Sequence, residues 1–404
     1  MNPCRFCSTP LDTVFADLGV VPLANAYVHP DRLLEPELFY PLVAYVCDRC
    51  LLVQVPPATT PEQLFSDYAY FSSYSDSWLT HARRYFEMIR ERLSLGGDAR
   101  IVEIASNDGY LLQYFRDAGF SVLGIEPAAN VGAVAREKGI ETRTKFFGVA
   151  TAGEIEGRAD LLIANNVLAH VPDINDFVEG LRIALAPAGT LTIEFPHLLQ
   201  IMRYSQFDTI YHEHYSYLSL LAVQQILAAH GLTVVDVEEI PTHGGSLRVY
   251  ARHTSAAGDP RAAVRAILDA ERAEGLDELD SYRRFADGVR DCKRALLQFL
   301  IAARDEGKRV VGYGAPAKAS TLLNYCGART DFIDYTVDRS AYKQGLLVPG
   351  TRIPIHAPEK IAETRPDYVL LLAWNLRDEI ISQMSHIREW GGRFVIPIPK
   401  AEVV

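Results

Sequence analysis

"ARIVEIASNDGYLLQYFRDAG", residues 99–119, decides the fold. Five apolar or buried-type residues lead into a short polar loop, and the loop opens a helical pattern. That is a strand, a turn and a helix, the first step of a doubly wound sheet. The same step repeats downstream. "SVLGIEP" (121–127) is a second strand, with "AANVGAVAREKG" (128–139) as its helix. "ADLLIANN" (159–166) and "GTLTIEFP" (189–196) are further strands, separated by the helix in "INDFVEGLRIALAP" (174–187). After a polar interruption come a helix in "LLAVQQILAAHG" (220–231) and two last strands, "LTVVDVEEI" (232–240) and "GGSLRVYARH" (244–253). The alternation predicts a mostly parallel α/β sheet with a β-rich tail.

On either side of this unit the pattern differs. Residues 1–66 carry short strands, turns and many prolines, with Cys4-x-x-Cys7 and Cys47-x-x-Cys50. Each pair puts two thiolates on one tight turn, and two such turns make a closed tetrahedral zinc site. With Cys4, Cys7, Cys47 and Cys50 as ligands, no position is left for water, so the metal is structural. Cys292 and Cys326 stand apart and read as small buried hydrophobes. Residues 259–306 have a helical period and connect to a second α/β unit that begins "KRVVGYGAPAKASTLLNYCG" (308–327). The expected domains are 1–66 (zinc module), 67–258 (central sheet) and 259–404 (helical connector and C-terminal α/β domain).

Bulk properties exclude some partners. The chain has 404 residues, 49% hydrophobic and 23% charged, with a formal charge of −11 and no Lys/Arg block. A nucleic acid or an anionic membrane surface would need a basic face. No apolar run is long enough to span a bilayer, and "MNPCRFCSTP" has no signal core, so a cytoplasmic protein is expected.

In a doubly wound sheet the ligand sits beyond the carboxyl ends of the strands. The first such loop is "EIASNDG", Glu103 to Gly109. It lacks the glycines that let a backbone approach a dinucleotide pyrophosphate. Ala105, Asn107 and the single Gly109 suit a ligand without one. Glu126, followed by Pro127, ends the second strand where an acid bonds ribose hydroxyls; otherwise it is a solvated strand-end acid. Loop, acid and two-strand tail together point to S-adenosylmethionine (SAM). Asn165 and Asn166 follow the next strand and either line that pocket or cap a turn.

The second loop, "VVGYGAPAKAS", offers Gly314, Ala315, a helix N-terminus and Lys318 to an anion such as a nucleotide-sugar diphosphate, unless it is a relic that binds nothing. Its third glycine is missing, with Ala317 in that place, which disfavours a nicotinamide cofactor. Lys343, Trp374 and Asn375 fall near ends of neighbouring strands, so all can face the same cleft. "HGGSLR", with Gly245, Ser246 and Arg248, is a tight turn near the substrate or a hairpin corner only.

The order Cys-x-x-Cys…Cys-x-x-Cys, "DYAYFSSYS", "VEIASNDG", "NNVLAHVPD", "FDTIYHEHYSYLS", "HGGSLR", "GYGAPAK" and "KQG" resembles the zinc-containing, SAM-dependent C-methyltransferases of nucleotide-linked deoxysugars. That family includes the C-3′-methyltransferase of the tetronitrose pathway, and the resemblance spans essentially the whole chain. It implies methyl transfer to a sugar carbon beside a 4-keto group, on a substrate expected to be dTDP-linked. Such a carbon must first lose a proton, which calls for a base and for donors to the keto oxygen. The resemblance makes His214 the base, Glu213 a residue that orients or tunes it, and Tyr211 a donor to the enolate. Tyr68 and His170 match further pocket positions. His212 is the alternative base, and a metal reading would take His212 and His214 with Glu213. Ala105 departs from a glycine common in the family. Rival readings are an O- or N-methyltransferase and a non-catalytic nucleotide-sugar-binding protein.

Overall fold

The computed structural model describes residues 2–65 and 71–404, Phe65 by its backbone only. Tyr68 lies outside the described residues. Seventeen strands among the described residues form three sheets.

The N-terminal sheet runs β1 (Thr13–Val21), β2 (Tyr40–Val46), β3 (Val53–Gln54) and then a strand from much further along the chain. The central sheet holds β4 (Arg100–Ile104), β5 (Ser121–Ile125), β6 (Thr142–Arg143), β7 (Ala159–Ile163) and β8 (Leu185–Pro196). The far strand of the N-terminal sheet is β9 (Ser216–Tyr217), and β10 (Leu232–Ile240) and β11 (Ser246–His253) complete the central one. Its order is β10-β11-β8-β7-β4-β5-β6. β4 to β8 pair in parallel, whereas β11 runs antiparallel to both neighbours. This is the doubly wound sheet with a two-strand tail read from the sequence. Strands such as β4 are nearly continuous apolar runs because helices cover both faces.

The C-terminal sheet contains β12 (Val310–Tyr313), β13 (Thr336–Val337), β14 (Ile355–His356), β15 (Tyr368–Leu371), β16 (Arg393–Ile396) and β17 (Glu402–Val403), in the order β14-β13-β12-β15-β16-β17. The connector is two helices, Ala262–Ala273 and Leu279–Asp305. The second crosses the N-terminal sheet, where Phe15 stacks on Phe285 with ring centroids 4.3 Å apart. One apolar core joins β1 and β2 to this helix, to residues 198–217 and to the C-terminal sheet. The N-terminal module is therefore packed into the body of the protein.

The four cysteine sulfurs lie within 4.8 Å of one another, with Cys4–Cys50 at 3.6 Å and Cys7–Cys47 at 3.5 Å. Zinc–sulfur bonds of about 2.3 Å in a tetrahedron need sulfurs about 3.8 Å apart, so the set fits zinc closely. The two turns repeat one geometry. Ser8 donates its N–H to Cys4 O and Leu51 donates to Cys47 O, each at 2.9 Å, and both residues adopt a left-handed φ near 60°. A leucine held there is strained, which indicates that the closed knuckle imposes the conformation. Gln54 adds an N–H to the Cys4 sulfur at 3.2 Å, the kind of outer contact that orients a metal ligand.

Arg5, inside the first knuckle, reaches across. Its guanidinium donates to Pro172 O at 2.8 Å and Val55 O at 2.6 Å and lies over the Tyr215 ring. The metal thus fixes a side chain that joins the module to the central domain. Removing the metal with a strong chelator should lower the melting temperature and stop methyl transfer, and added zinc should restore both. Differential scanning calorimetry with parallel activity assays checks this; a stripped protein with unchanged melting and turnover would refute a structural metal.

Candidate active site

The stretch 207–218 crosses the carboxyl end of the central sheet as turns, not as a strand. A 3-10 turn spans Phe207–Thr209, and β9 begins only at Ser216. Side chains of Tyr211 to His214 therefore diverge instead of alternating. His212 turns toward the N-terminal module, donating Nε2–H to Pro41 O at 3.1 Å beside the Tyr40 ring. His212 and His214 do not share a face, so the metal reading fails on geometry. Among the described residues the four cysteines form the metal-ligating cluster.

His214 points inward. Its Nδ1–H donates to Thr209 O at 3.0 Å, which leaves the lone pair on Nε2; there it accepts from the Tyr211 hydroxyl at 2.9 Å. His170 stands edge-on, ring centroids 4.7 Å away, and donates Nδ1–H to Glu213 O at 2.9 Å. Burial holds His214 well below the usual imidazole range, with the nearby His170 pushing the same way. Burial also lowers His170 to about 4. Both rings are neutral near pH 7. Glu213 does not orient His214, contrary to expectation: the turn sends its carboxylate to Asn25 Nδ2 at 2.7 Å. Orientation comes from the Thr209 carbonyl.

All three parts of the chain hold this stretch. The N-terminal module supplies Asn25, Pro41 and the pairing of β3 with β9. The central domain supplies Ala169 O, which accepts from Tyr215 N. The C-terminal domain supplies Thr321, whose hydroxyl donates to Ile210 O at 2.9 Å, and Trp374, whose indole N–H donates to Asp208 Oδ2 at 2.6 Å.

Comparison with known proteins agrees with this three-part build. Residues 4–65 match a zinc binding domain, 78–237 a methyltransferase domain and 241–399 the C-methyltransferase C-terminal domain. The C-methyltransferase NovU of Streptomyces niveus is 38% identical over 409 residues, which span 100% of this chain and 97% of that one. The chain belongs to this family of C-methyltransferases. A shorter likeness, 31% identical over 107 residues, joins 26% of the chain to 41% of trans-aconitate 2-methyltransferase from Variovorax paradoxus. Among solved structures, magnesium protoporphyrin IX methyltransferase (ChlM) from Synechocystis PCC 6803 with bound SAM matches 44% of this chain and 81% of its own, at 16% identity and a TM-score of 0.34.

This C-methyltransferase uses SAM, and the residues at the carboxyl ends of β4, β5 and β7 fit it. Buried polar atoms without a hydrogen-bond partner gather there: Glu103 Oε2, Ser106 Oγ, Asp108 Oδ1, Asn165 Oδ1 and both amide atoms of Asn166. Such atoms call for a polar ligand. Glu126 accepts from the N–H groups of Asn107 and Ala128, each at 2.9 Å, and each oxygen keeps a second lone pair for a ribose hydroxyl. Pro127 follows as the chain turns into the helix Ala129–Glu137. Burial, reinforced by Glu126, pushes Glu103 well above the usual carboxyl range, so it is a neutral acid. Ala105 and Asn107 both adopt left-handed φ, at 55° and 49°, a conformation for which glycine is the usual residue. Gly109 serves packing, since a Cβ there would strike Ile140 Cδ1 at 2.3 Å.

Several sequence-based assignments move. Arg248 faces Glu194 and Glu238 directly in register, bonds both carboxylates and lies against the Tyr85 ring. It is a buried cross-strand ion pair, not a substrate ligand. Ser246 donates to Thr242 O, and Gly245 avoids Gln200, so that turn is a packed corner. The Gly314 and Ala315 amides are already used by Val337 O and the Asp338 carboxylate. A Cβ at Gly314 would meet Ala373 at 2.9 Å, so this loop is closed by its own sheet and is no anion cradle. Lys343 donates to Ala315 O and pairs with Asp338. Trp374 is committed to Asp208, while Asn375 stays half-buried on the same turn.

Four residues escaped the sequence reading. Asn25 and Tyr27 come from the N-terminal module, Tyr27 donating to Ala315 O at 2.5 Å. His81 bonds the buried Glu194 at 2.9 Å and stacks on Trp78, which also meets His243. Only His243 carried a signal, its place in the quoted "HGGSLR".

Burial pushes the Glu213 carboxyl up to about 7, against the Asn25 hydrogen bond. A carboxyl raised in this way contributes stability that is fully present below its unfolded pKa of about 4.3 and lost as pH rises through the native value. Glu213→Gln removes this dependence. The stability of the variant relative to wild type should rise from about pH 5 to about pH 8, by up to roughly 3 kcal/mol. Urea melts at several pH values test it, and a difference independent of pH would contradict it.

Proposed function

We propose that the substrate is a nucleotide-linked 4-keto-6-deoxysugar, dTDP-linked as the sequence resemblance implies, methylated at the carbon beside its ketone. We further propose the division at residues 66 and 258, with the substrate in the cleft where the three domains meet. The observation that carries this reading is the Thr209–His214–Tyr211 array. Its Nε2 lone pair is fixed in direction by a backbone carbonyl and stays unprotonated throughout the neutral range. That is the equipment for taking a proton from carbon.

When bound, SAM supplies an electrophilic methyl group. The protein's own residues prepare the nucleophile. The α C–H bond breaks, its proton goes to Nε2 of His214, and its electron pair moves into the C–C bond as the carbonyl electrons move to oxygen. The imidazolium and the enolate form together, so each offsets the other's charge in a site with little water. Tyr211, already at Nε2, turns its hydrogen bond to the developing oxyanion as Nε2 takes the proton. His170 closes the pocket on the other side. Tyr68 keeps its place in the proposed set through the sequence resemblance.

The test is deuterium exchange. In heavy water the enzyme should wash deuterium into the α-carbon of a dTDP-4-keto-6-deoxyhexose, and His214→Ala should lose both exchange and methyl transfer by about 10²–10⁴-fold while still binding SAM. Methylation by wild type without any exchange would instead favour an oxygen or nitrogen acceptor.

A further inference from the structure

Lys318 lies on the first turn of the helix Ala317–Cys326. The loop before it forms no anion cradle, because its amides are occupied. Thr321, on the same face one turn on, is bonded to Ile210 O, next to Tyr211. The helix therefore presents Lys318 to the stretch that carries the proton acceptor. Its ammonium sits over the Trp374 ring, 5.6 Å from the centroid, and Trp374 in turn donates to Asp208. Lys343, which bonds the loop before this helix, is neutralised by Asp338. Among the described residues Lys318 forms no ion pair within 4 Å and no hydrogen bond. A half-buried ammonium with no protein partner is placed to turn its donors toward a group that arrives with the substrate.

The surroundings say which part of the substrate. The charge of Lys318 bears on His214 from one side and on His243, of the 242–244 turn, from another. A cation so near the proton acceptor disfavours the imidazolium and favours an anion between them. Resting on the carbanion reading above, we propose that Lys318 is a catalytic residue whose ammonium stabilises the charge developing on the carbonyl oxygen, with Asp208 and Trp374 as positioning residues. The alternative is a diphosphate handle, from which Gly314 and Ala315 are withdrawn because their amides already serve Val337 O and Asp338, and which nucleotide affinity tests directly.

The titratable groups facing the ammonium are Asp208, His214 and His243. Burial lowers the Lys318 pKa and the Asp208 charge raises it again. Burial pushes Asp208 itself up to about 6, against the charge of Lys318 and the Trp374 N–H. Asp208 is thus ionised where the enzyme would work and keeps the lysine protonated.

Lys318→Met and Lys318→Arg are assayed for deuterium exchange, kcat and binding of thymidine diphosphate, with SAM binding as a check of folding. Lys318→Met should lose about 10²–10³-fold in both exchange and kcat, with nucleotide affinity within a few-fold of wild type, and Lys318→Arg should recover part of the loss. Exchange and kcat near wild type, or a nucleotide affinity weakened tenfold with exchange intact, would overturn the assignment. Should the methionine variant not fold, Asp208→Asn decides. Without that carboxylate the lysine deprotonates earlier, so the alkaline limb of kcat moves to lower pH; an unmoved limb rejects the positioning role. Failure of the carbanion reading is separate, since it would show as absent exchange in wild type.

Discussion

A backbone clamp governs this structure. Residues 207–218 have little regular structure of their own and owe their shape to partners from every other part of the chain. Ile210 and Asp208 are held from the C-terminal domain, Glu213 and His212 from the N-terminal module, and Tyr215 from the turn after β7. A segment whose side chains diverge in this way does not take its shape from local propensity. It relies on ends pinned by several hydrogen bonds, of which those from Thr321 and Trp374 are buried away from competing water.

The zinc knuckles are the far anchor of that clamp. Arg5 in the first knuckle holds Pro172 and lies on Tyr215, while β3, which follows the second knuckle, pairs with β9. The metal stands outside the chemistry, yet it sets the geometry. Opposite it, the helix Leu279–Asp305 buttresses the N-terminal sheet through the Phe15–Phe285 stack. The shared apolar core makes hinge-like freedom between the first and last domains costly.

Much of this was legible in the residues. The alternation of apolar runs with helical periods fixed the central sheet, because a strand buried on both faces has to be apolar throughout. Paired cysteines at two-residue gaps fixed the metal site, because chain geometry allows few other uses for them. The density of titratable groups in "YHEH" marked out the stretch that all three parts of the chain hold. What stayed hidden depends on long-range pairing. Arg248 looked like a ligand until register placed Glu194 and Glu238 on either side of it. The second glycine loop resembled an anion site, but Asp338, Ala373 and Val337 occupy the space and the donors. Asn25 could not be foreseen, since nothing near it in the chain speaks of Glu213, 188 residues away.

The pairing of β3 with β9 also bears on biosynthesis. A ribosome delivers Val53 and Gln54 long before Ser216 and Tyr217, so a growing chain displays an unprotected strand edge while β4 to β8 of the central sheet are being made. Such an edge invites pairing with a neighbouring polypeptide. Pro56 and Pro57, just after β3, then have a second use, as a deterrent to wrong partners during that interval.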